Sequence, residues 1–256
     1  MIVKTEKDRE ALRASGKILA HVLNTLVDSV HPGVSSDELD TLARDLIREA
    51  GAEPVFLNYQ PEGEPRPYPA TICLSVNDMV VHGIPNEHPF LIEDGDVVSI
   101  DCGVVLDGYI TDATRTVIAG DARPEDEKLF DATKEALAVA IKQAKTGARV
   151  GDVSSAIEEV AKKYGYGVPR ELGGHGVGVR LHEDPFVPNW GRPGSGPTLE
   201  EGQVLAIEPI FTAGDERLLW DDFHGYECHT ADGSRAVQEE ETIIVGKNGG
   251  EVVTRA

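Results

Sequence analysis

Gly95-Asp-Val-Val-Ser-Ile-Asp101-Cys-Gly-Val-Val-Leu-Asp107-Gly108-Tyr-Ile-Thr-Asp112-Ala-Thr-Arg-Thr-Val117 is the stretch that decides the fold. Two apolar runs flank Asp107-Gly108, a dipeptide suited to the positive backbone angles of a two-residue hairpin turn. With those residues as the loop, position 101 lies opposite 114, and 112 is its diagonal neighbour on the same face. Diagonal Cβ atoms lie about 7–8 Å apart or less, so Asp101 and Asp112 can converge on something between them. Bare carboxylates in a strand as apolar as Val97-Val-Ser-Ile would repel each other and lose hydration. A cation between them removes both costs; the alternative is that one or both lie at solvated strand ends.

Three further segments bear on that choice. Gly173-Gly-His175-Gly-Val-Gly-Val-Arg-Leu-His182-Glu-Asp-Pro185 sets two histidines in a glycine-rich run. Imidazole is a common nitrogen ligand for first-row metals, and glycines let backbone approach a ligand closely. A lone histidine there would more often be structural. Ala206-Ile-Glu208-Pro-Ile-Phe211 puts an acid inside an apolar run, where it has to be paired, ligating or catalytic. Glu239-Glu240-Glu241 leads into Thr242-Ile-Ile-Val245. Strand alternation sends Glu240 to one face and its neighbours to the other; read alone, the run is a solvated acidic strand start. Together these residues make one imidazole and four carboxylates from separate strands, a set suited to a two-metal hydrolytic centre.

Around this hairpin the chain alternates helices and strands. Leu12, Leu19, Val22 and Leu26 have the three-and-four spacing of a one-sided helix over about Glu6 to Val30, stopped by His31-Pro32-Gly33. Ser35-Ser-Asp-Glu38 reads as a capping box, opening a helix that buries Leu39, Leu42, Leu46 and Ile47 and closes at Gly51. Prolines make Gln60 to Pro69 an irregular loop. Strands are expected over Ala70 to Val76, Val97 to Val105 and Arg115 to Ala119. A helical region from Pro124 to Gly151 and a shorter helix through Val160 follow. Strands return at Val204 to Phe211, Tyr226 to Thr230 and Thr242 to Val245. Pro32-Gly-Val-Ser-Ser-Asp-Glu-Leu39 and Gly147-Ala-Arg-Val-Gly-Asp-Val-Ser-Ser155 echo each other, each followed by a helix and then a His-Gly segment. A duplication predicts two similar α+β halves sharing one mixed or antiparallel sheet, with a site at their junction. No linker-like segment divides them, so residues 1–256 read as one domain.

Composition narrows the partners. Lys and Arg total 24 against 45 Asp and Glu, a net charge of −21, which repels phosphate backbones and anionic membranes and attracts cations. Cys73, Cys102 and Cys228 form no CxxC pair and read as reduced, buried thiols. The first residues hold neither an apolar signal core nor an Arg-rich transit helix, and no run approaches the ~18 apolar residues of a membrane span. The expectation is a soluble cytoplasmic protein.

Val80-Val-His82-Gly-Ile-Pro85, the Asp101/Asp112 spacing, Gly174-His-Gly-Val-Gly178 with His182-Glu-Asp-Pro185, and Ile207-Glu-Pro209 occur in one order over nearly the whole chain. In that order they resemble the type I methionine aminopeptidases. The resemblance implies the pita-bread fold, two pseudo-symmetric α+β halves around a curved, mostly antiparallel sheet. It implies removal of the initiator methionine from nascent polypeptides, admits the ribosome as a partner, and carries a monomer as the family expectation. By position it makes Asp101, Asp112, His175, Glu208 and Glu240 the ligands of two divalent cations (Co, Mn, Fe or Zn), with Asp112 and Glu240 bridging. A water activated by the cations would be the nucleophile, and Glu208 would relay its proton to the leaving amine. His182 would stabilise the tetrahedral oxygen, His82 would contact the amide nitrogen beyond the scissile bond, and Asp101 would help hold the free amine. Tyr68, Cys73 and Tyr226 fall on substrate-pocket positions.

The chain departs from the family pattern in several places. Glu239-Glu-Glu-Thr242 stands where an aromatic-Glu-His-Thr run is usual, so a one-residue slip would exchange Glu240 for a neighbour. The Asn58–Pro69 loop is longer and richer in proline, Leu181 replaces a common aromatic, and Tyr226 a common Trp. These changes touch the wall that grips the first side chain. The rival readings are an aminopeptidase of different first-residue preference, an Xaa-Pro peptidase, and a non-catalytic protein of the same fold.

Overall fold

Thr5 and Asp8 open the first helix by bonding each other's backbone: Asp8 N donates to Thr5 Oγ1 at 3.2 Å and Thr5 N to Asp8 Oδ2 at 2.9 Å. This reciprocal cap satisfies donors that the first turn leaves free. In a computed structural model, which describes residues 1–220 and 225–255, that helix, α1, runs over Glu6–Ser29. α2 follows at Ser36–Glu49, with Ser35 N reaching Glu38 Oε2 at 3.5 Å. The next elements are β1 (Glu53–Pro54), β2 (Ile72–Val76), β3 (Met79–Val81), β4 (Val97–Leu106), β5 (Tyr109–Ile118), α3 (Pro124–Gln143) and α4 (Val150–Tyr164). The last third holds β6 (Gly173–Gly176), β7 (Glu183–Pro188), β8 (Val204–Ile207), β9 (Ile210–Thr212) and β10 (Leu218–Trp220). It closes with β11 (Cys228–Thr230), β12 (Ala236–Gln238), β13 (Glu241–Val245) and β14 (Gly250–Val252).

Every ladder between these strands is antiparallel. One edge of β4 carries β2 and β1, and the other carries β5. In the second half the order is β14-β13-β8-β6-β7. Each sheet is backed by a helix pair. Leu19, Val22, Leu23 and Leu26 of α1 pack with Ile72, Leu74, Val98, Ile100 and Val104. Leu129, Ala136, Leu137, Val153 and Ile157 of α3 and α4 pack with Val187, Leu205, Ile207, Phe211 and Ile243. Fully burying one such Leu, Ile or Val contributes roughly 1.5–3 kcal/mol. This is the repeated α+β architecture of the pita-bread fold.

The two halves meet where β5 approaches β13. Asp112 N donates to Thr242 Oγ1 at 2.9 Å, Thr242 Oγ1 donates to Asp112 O at 2.7 Å, and Glu240 N donates to Thr114 O at 3.2 Å. A third buried cluster, with Leu12, Phe56, Tyr68, Cys73, Leu181 and Tyr226, fills the space beside this seam.

Several expected boundaries need correction. The helical region from Pro124 does not continue to Gly151: α3 ends at Gln143, and a turn with Gly147 at φ +86° precedes α4, which extends past Val160 to Tyr164. The expected strand Val204 to Phe211 is split in two, since Pro209 has no N–H to continue the ladder. The strand placed at Arg115 to Ala119 is only the end of β5, which starts at Tyr109. The three cysteines are free and buried. Among the described residues no helix is long and apolar enough to cross a membrane.

Candidate metal centre

The hairpin forms as its turn dictates. Asp107 and Gly108 have φ of +50° and +83°, and the register sets Asp101 opposite Thr114 and Gly103 opposite Asp112. Asp101 and Asp112 therefore share a face of the first sheet. His175 enters from β6, opposite Ala206. Glu208 follows β8 at the proline break, and Glu240 immediately precedes β13. The glycines beside His175 serve neighbouring backbone rather than a ligand: a Cβ on Gly174 would lie 2.3 Å from Ala206 O, and one on Gly176 2.3 Å from Asp184 O. Only glycine lets β6 fit between β7 and β8.

Ligand atoms of Asp112, His175 and Glu240 lie within 4.8 Å of one another. His175 Nε2 is 3.9 Å from both Asp112 Oδ2 and Glu208 Oε1. Its Nδ1 lies 2.9 Å from Gly176 O, an acceptor, so Nδ1 carries the proton and the Nε2 lone pair faces the acids. That is how a metal-ligating imidazole is oriented. Thr114 Oγ1 donates to Glu240 Oε2 and Gln238 Nε2 to Glu208 Oε2, both at 3.0 Å. Asp101 Oδ1, Asp112 Oδ1 and Glu240 Oε1 are buried with no hydrogen-bond partner among the described residues. Each such oxygen costs about 1–3 kcal/mol or more if nothing meets it. The chemistry of the donor set and its three orphaned oxygens fit a divalent cation.

Electrostatics point the same way. Burial raises Asp101 to about 7, against hydrogen bonds from Thr114, the Cys102 backbone and Asp112. Asp112, Glu208 and Glu240 are pushed well above the carboxylate range, first by burial and then by the charges of the other acids. Without a cation these carboxyls cannot all ionise. The neighbours of Glu240 are occupied elsewhere. Glu239 Oε1 accepts from Thr116 N at 3.0 Å, and Glu241 pairs with Arg115 at 3.0 Å and with Arg255. Of the three consecutive glutamates, Glu240 is the one that lines the cavity.

All ten residues singled out from the sequence line one cavity of about 630 Å³. Its apolar wall holds Phe56, Tyr68, Cys73, Leu181 and Tyr226. The Tyr68 hydroxyl is shared between Ile72 O at 3.0 Å and Gly83 O at 2.8 Å, and the Tyr68 and Tyr226 rings meet edge-on at 5.2 Å. His82 has a left-handed backbone, φ +61°, and its ring lies 6.5 Å from that of Trp220. Burial, then the nearby His182, lowers His82 to about 4. Sequence reasoning missed Thr114, Gln238 and Tyr59. Thr114 was findable, because the register sets it opposite Asp101. Tyr59, whose hydroxyl is 2.8 Å from His182 Nδ1, is 123 residues away in sequence and gave no signal.

Comparison with known proteins agrees with this geometry. The profile of metallopeptidase family M24 matches residues 10–247. The methionine aminopeptidase of Aquifex aeolicus is 43% identical over 254 residues, covering 98% of this chain and 97% of the relative. Methionine aminopeptidase 1 of Mycobacterium tuberculosis is 44% identical over 252 residues, covering 96% and 91%. The crystal structure of the Thermotoga maritima methionine aminopeptidase superposes with a TM-score of 0.94 at 38% identity, covering 100% of both chains. An Xaa-Pro dipeptidase from Bacillus anthracis, at 23% identity and a TM-score of 0.78, shares the fold over 62% of its own length. A match of this extent, at these identities and over a cavity fit for divalent cations, makes the chain a member of metallopeptidase family M24.

Proposed function

We propose that this chain removes the N-terminal methionine from new polypeptides by hydrolysing their first peptide bond. The observation that carries the reading is the convergence of four carboxylates and His175 on one cavity, beside an apolar wall of Phe56, Tyr68, Cys73, Leu181 and Tyr226. The names and full-length similarity of its relatives supply the substrate class. We take residues 1–256 to act as one catalytic domain and as a monomer on nascent chains in the cytoplasm, at or after the ribosome. A net charge of −21 argues against docking on nucleic acid.

We assign Asp101, Asp112, His175, Glu208 and Glu240 as the residues that would hold two divalent cations. Cations held there would supply Lewis-acid polarisation of the scissile carbonyl and a water acidic enough to react near neutral pH. Co, Mn, Fe and Zn all suit this oxygen-rich set, and supply rather than affinity selects among them. Glu208, steadied by Gln238, accepts a proton and passes it to the leaving amine. His182 donates to the carbonyl oxygen as negative charge develops. His82 meets the amide nitrogen beyond the cleaved bond, and Asp101 faces the free ammonium. The methionine thioether packs among Phe56, Tyr68, Cys73, Leu181 and Tyr226, where each sulfur–aromatic contact adds about 0.3–1.5 kcal/mol.

The test is turnover of Met-Ala-Ser, Xaa-Pro dipeptides and a leucine anilide by protein loaded with Mn²⁺ or Co²⁺. Met-Ala-Ser should be cleaved and EDTA should stop it. Preferential cleavage of Xaa-Pro would move the chain to the rival activity, and no turnover of any substrate would overturn the reading. Leu181, buried in the pocket wall, favours a second reading in which branched aliphatic first residues are also accepted; the leucine anilide measures that.

A further inference from the structure

His182 lies outside β6 and β7, in the bend between them. Its backbone is fixed nearby by Glu183, whose Oε1 accepts from Val179 N and Arg180 N at 2.8 Å while its other oxygen pairs with the Met1 ammonium. These contacts position the bend and leave the imidazole free to choose its tautomer. Among the described residues two rings pack on it. His175 meets it edge-on at 4.5 Å between centroids, and the Tyr59 ring lies 5.4 Å away with its hydroxyl 2.8 Å from Nδ1. Among the described residues Nε2 has no hydrogen-bond partner, and the ring lines the cavity.

Tyr59 is itself held in place. It stands at the neck of the long loop, where Asn58 N donates to Tyr68 O at 2.9 Å and Tyr68 N donates to Tyr59 O at 2.8 Å. Tyr59 N donates to Phe56 O at 2.9 Å, and farther along the loop the Tyr226 hydroxyl donates to Arg66 O at 2.6 Å. The extra length of this loop is thus tied off at its base, and the Tyr59 hydroxyl is aimed at one atom.

We propose that Tyr59 is a positioning residue: its hydroxyl donates to His182 Nδ1 and thereby fixes the imidazole as the Nε2–H tautomer facing the bound peptide. The inference deepens the proposed aminopeptidase reading and rests on it for the identity of the peptide. A neutral imidazole has one donor and one acceptor nitrogen, so a phenol that donates to Nδ1 leaves the proton on Nε2. The opposite arrangement, Nδ1–H to the phenol oxygen, would turn a lone pair toward the carbonyl oxygen as it becomes negative. Stabilising that charge requires a donor, and the phenol has no other acceptor among the described residues.

Tyr59→Phe keeps the ring and removes only the hydroxyl. On Met-Ala-Ser with the Mn²⁺-loaded protein, kcat should fall about ten-fold, the order of one lost hydrogen bond, with KM within two-fold of wild type. In a His182→Ala background the same substitution should cost nothing further. Nitrogen-15 NMR of histidine-labelled, Zn²⁺-loaded protein should report His182 as the Nε2–H tautomer in wild type and as a mixture in Tyr59→Phe. A wild-type Nδ1–H tautomer, an unchanged His182 spectrum, or a rise in KM alone would overturn the proposal. If wild type fails to cleave Met-Ala-Ser, the functional reading falls, while the NMR comparison still decides whether Tyr59 sets the tautomer.

Discussion

Glu240→Gln should make the metal-free protein more stable while abolishing both cation binding and turnover. Glu240, Asp112 and His175 present ligand atoms within 4.8 Å of one another, and Glu240 Oε1 has no donor. Two full charges at the 4.8 Å outer limit of that cluster would repel by about 3.5 kcal/mol at an effective dielectric near 20. Only part of such repulsion is realised, because burial and mutual repulsion already favour the protonated carboxyls. A glutamine keeps the bond from Thr114 Oγ1 through its amide oxygen. It turns an NH₂ toward the acids, so a neutral donor replaces one of the charges. We expect a gain of about 1–3 kcal/mol in the metal-free state, or roughly 2–12 °C in Tm for a chain of this size. Thermal scans with EDTA and with Mn²⁺, metal content by mass spectrometry, and Met-Ala-Ser turnover give the three readouts. Wild type with metal should melt highest, the variant next, and metal-free wild type lowest. An EDTA-treated variant melting at or below EDTA-treated wild type would refute the electrostatic argument. A fully active, metal-replete variant would remove Glu240 from the centre.

Other perturbations test other parts of the molecule. His82→Ala should slow turnover while metal content stays at the wild-type level; loss of metal would mean that His82 serves the centre and not the substrate. Gly16→Ala raises helix propensity by about 1 kcal/mol, yet its Cβ would lie 2.1 Å from Val253 O and 2.7 Å from the Val253 carbonyl carbon. Backbone cannot swing aside, so urea unfolding should show a net loss of about 1–3 kcal/mol, and equal stability would contradict this. Buried Asp40 accepts from Thr71 N at 2.6 Å and Ile72 N at 3.1 Å through Oδ1, and burial outweighs these bonds to raise its pKa above 3.8. A folded pKa above the unfolded one means that its stabilising contribution is full below the unfolded value and lost as pH rises through the folded value. Asp40→Asn keeps the acceptor and does not ionise, so the variant should gain on wild type as pH rises above about 4, the unfolded carboxylate value. A gap between the two denaturation midpoints that stays constant or closes as pH rises above about 4 would count against it.

The parts of this molecule that follow from local rules were legible in the sequence. Asp107-Gly108 fixed the hairpin register, and with it the shared face of Asp101 and Asp112. Ser35 and Glu38 marked the start of α2. What escaped depends on contacts between distant segments. β6 and β7 are short and rich in glycine and proline, residues that disfavour strands; they form because β8 supplies partners for β6, and Pro185 and Pro188 are tolerated on an edge. The Ala-rich run of α3 hid its end, which is set by a turn that packs Lys145 beside Gly246. Residues conspicuous for charge or ligand chemistry were picked out, and they line one cavity. Those that hold them, Tyr59 on His182 and Gln238 on Glu208, are ordinary polar side chains whose importance lies only in what they touch.

The reciprocal clasp between Asp112 and Thr242 has a mechanical consequence. The amide and carbonyl of Asp112 are both tied to the Thr242 hydroxyl, one residue beyond Glu241 and two beyond Glu240. Any opening of one lobe against the other would therefore drag Asp112 and Glu240 apart. If Asp112 and Glu240 hold cations as proposed, movement at this joint would be coupled to loss of the ions. On the proposed assignment, peptide would be admitted past cavity-lining side chains of the long loop such as Pro61 and Glu64, with no parting of the lobes.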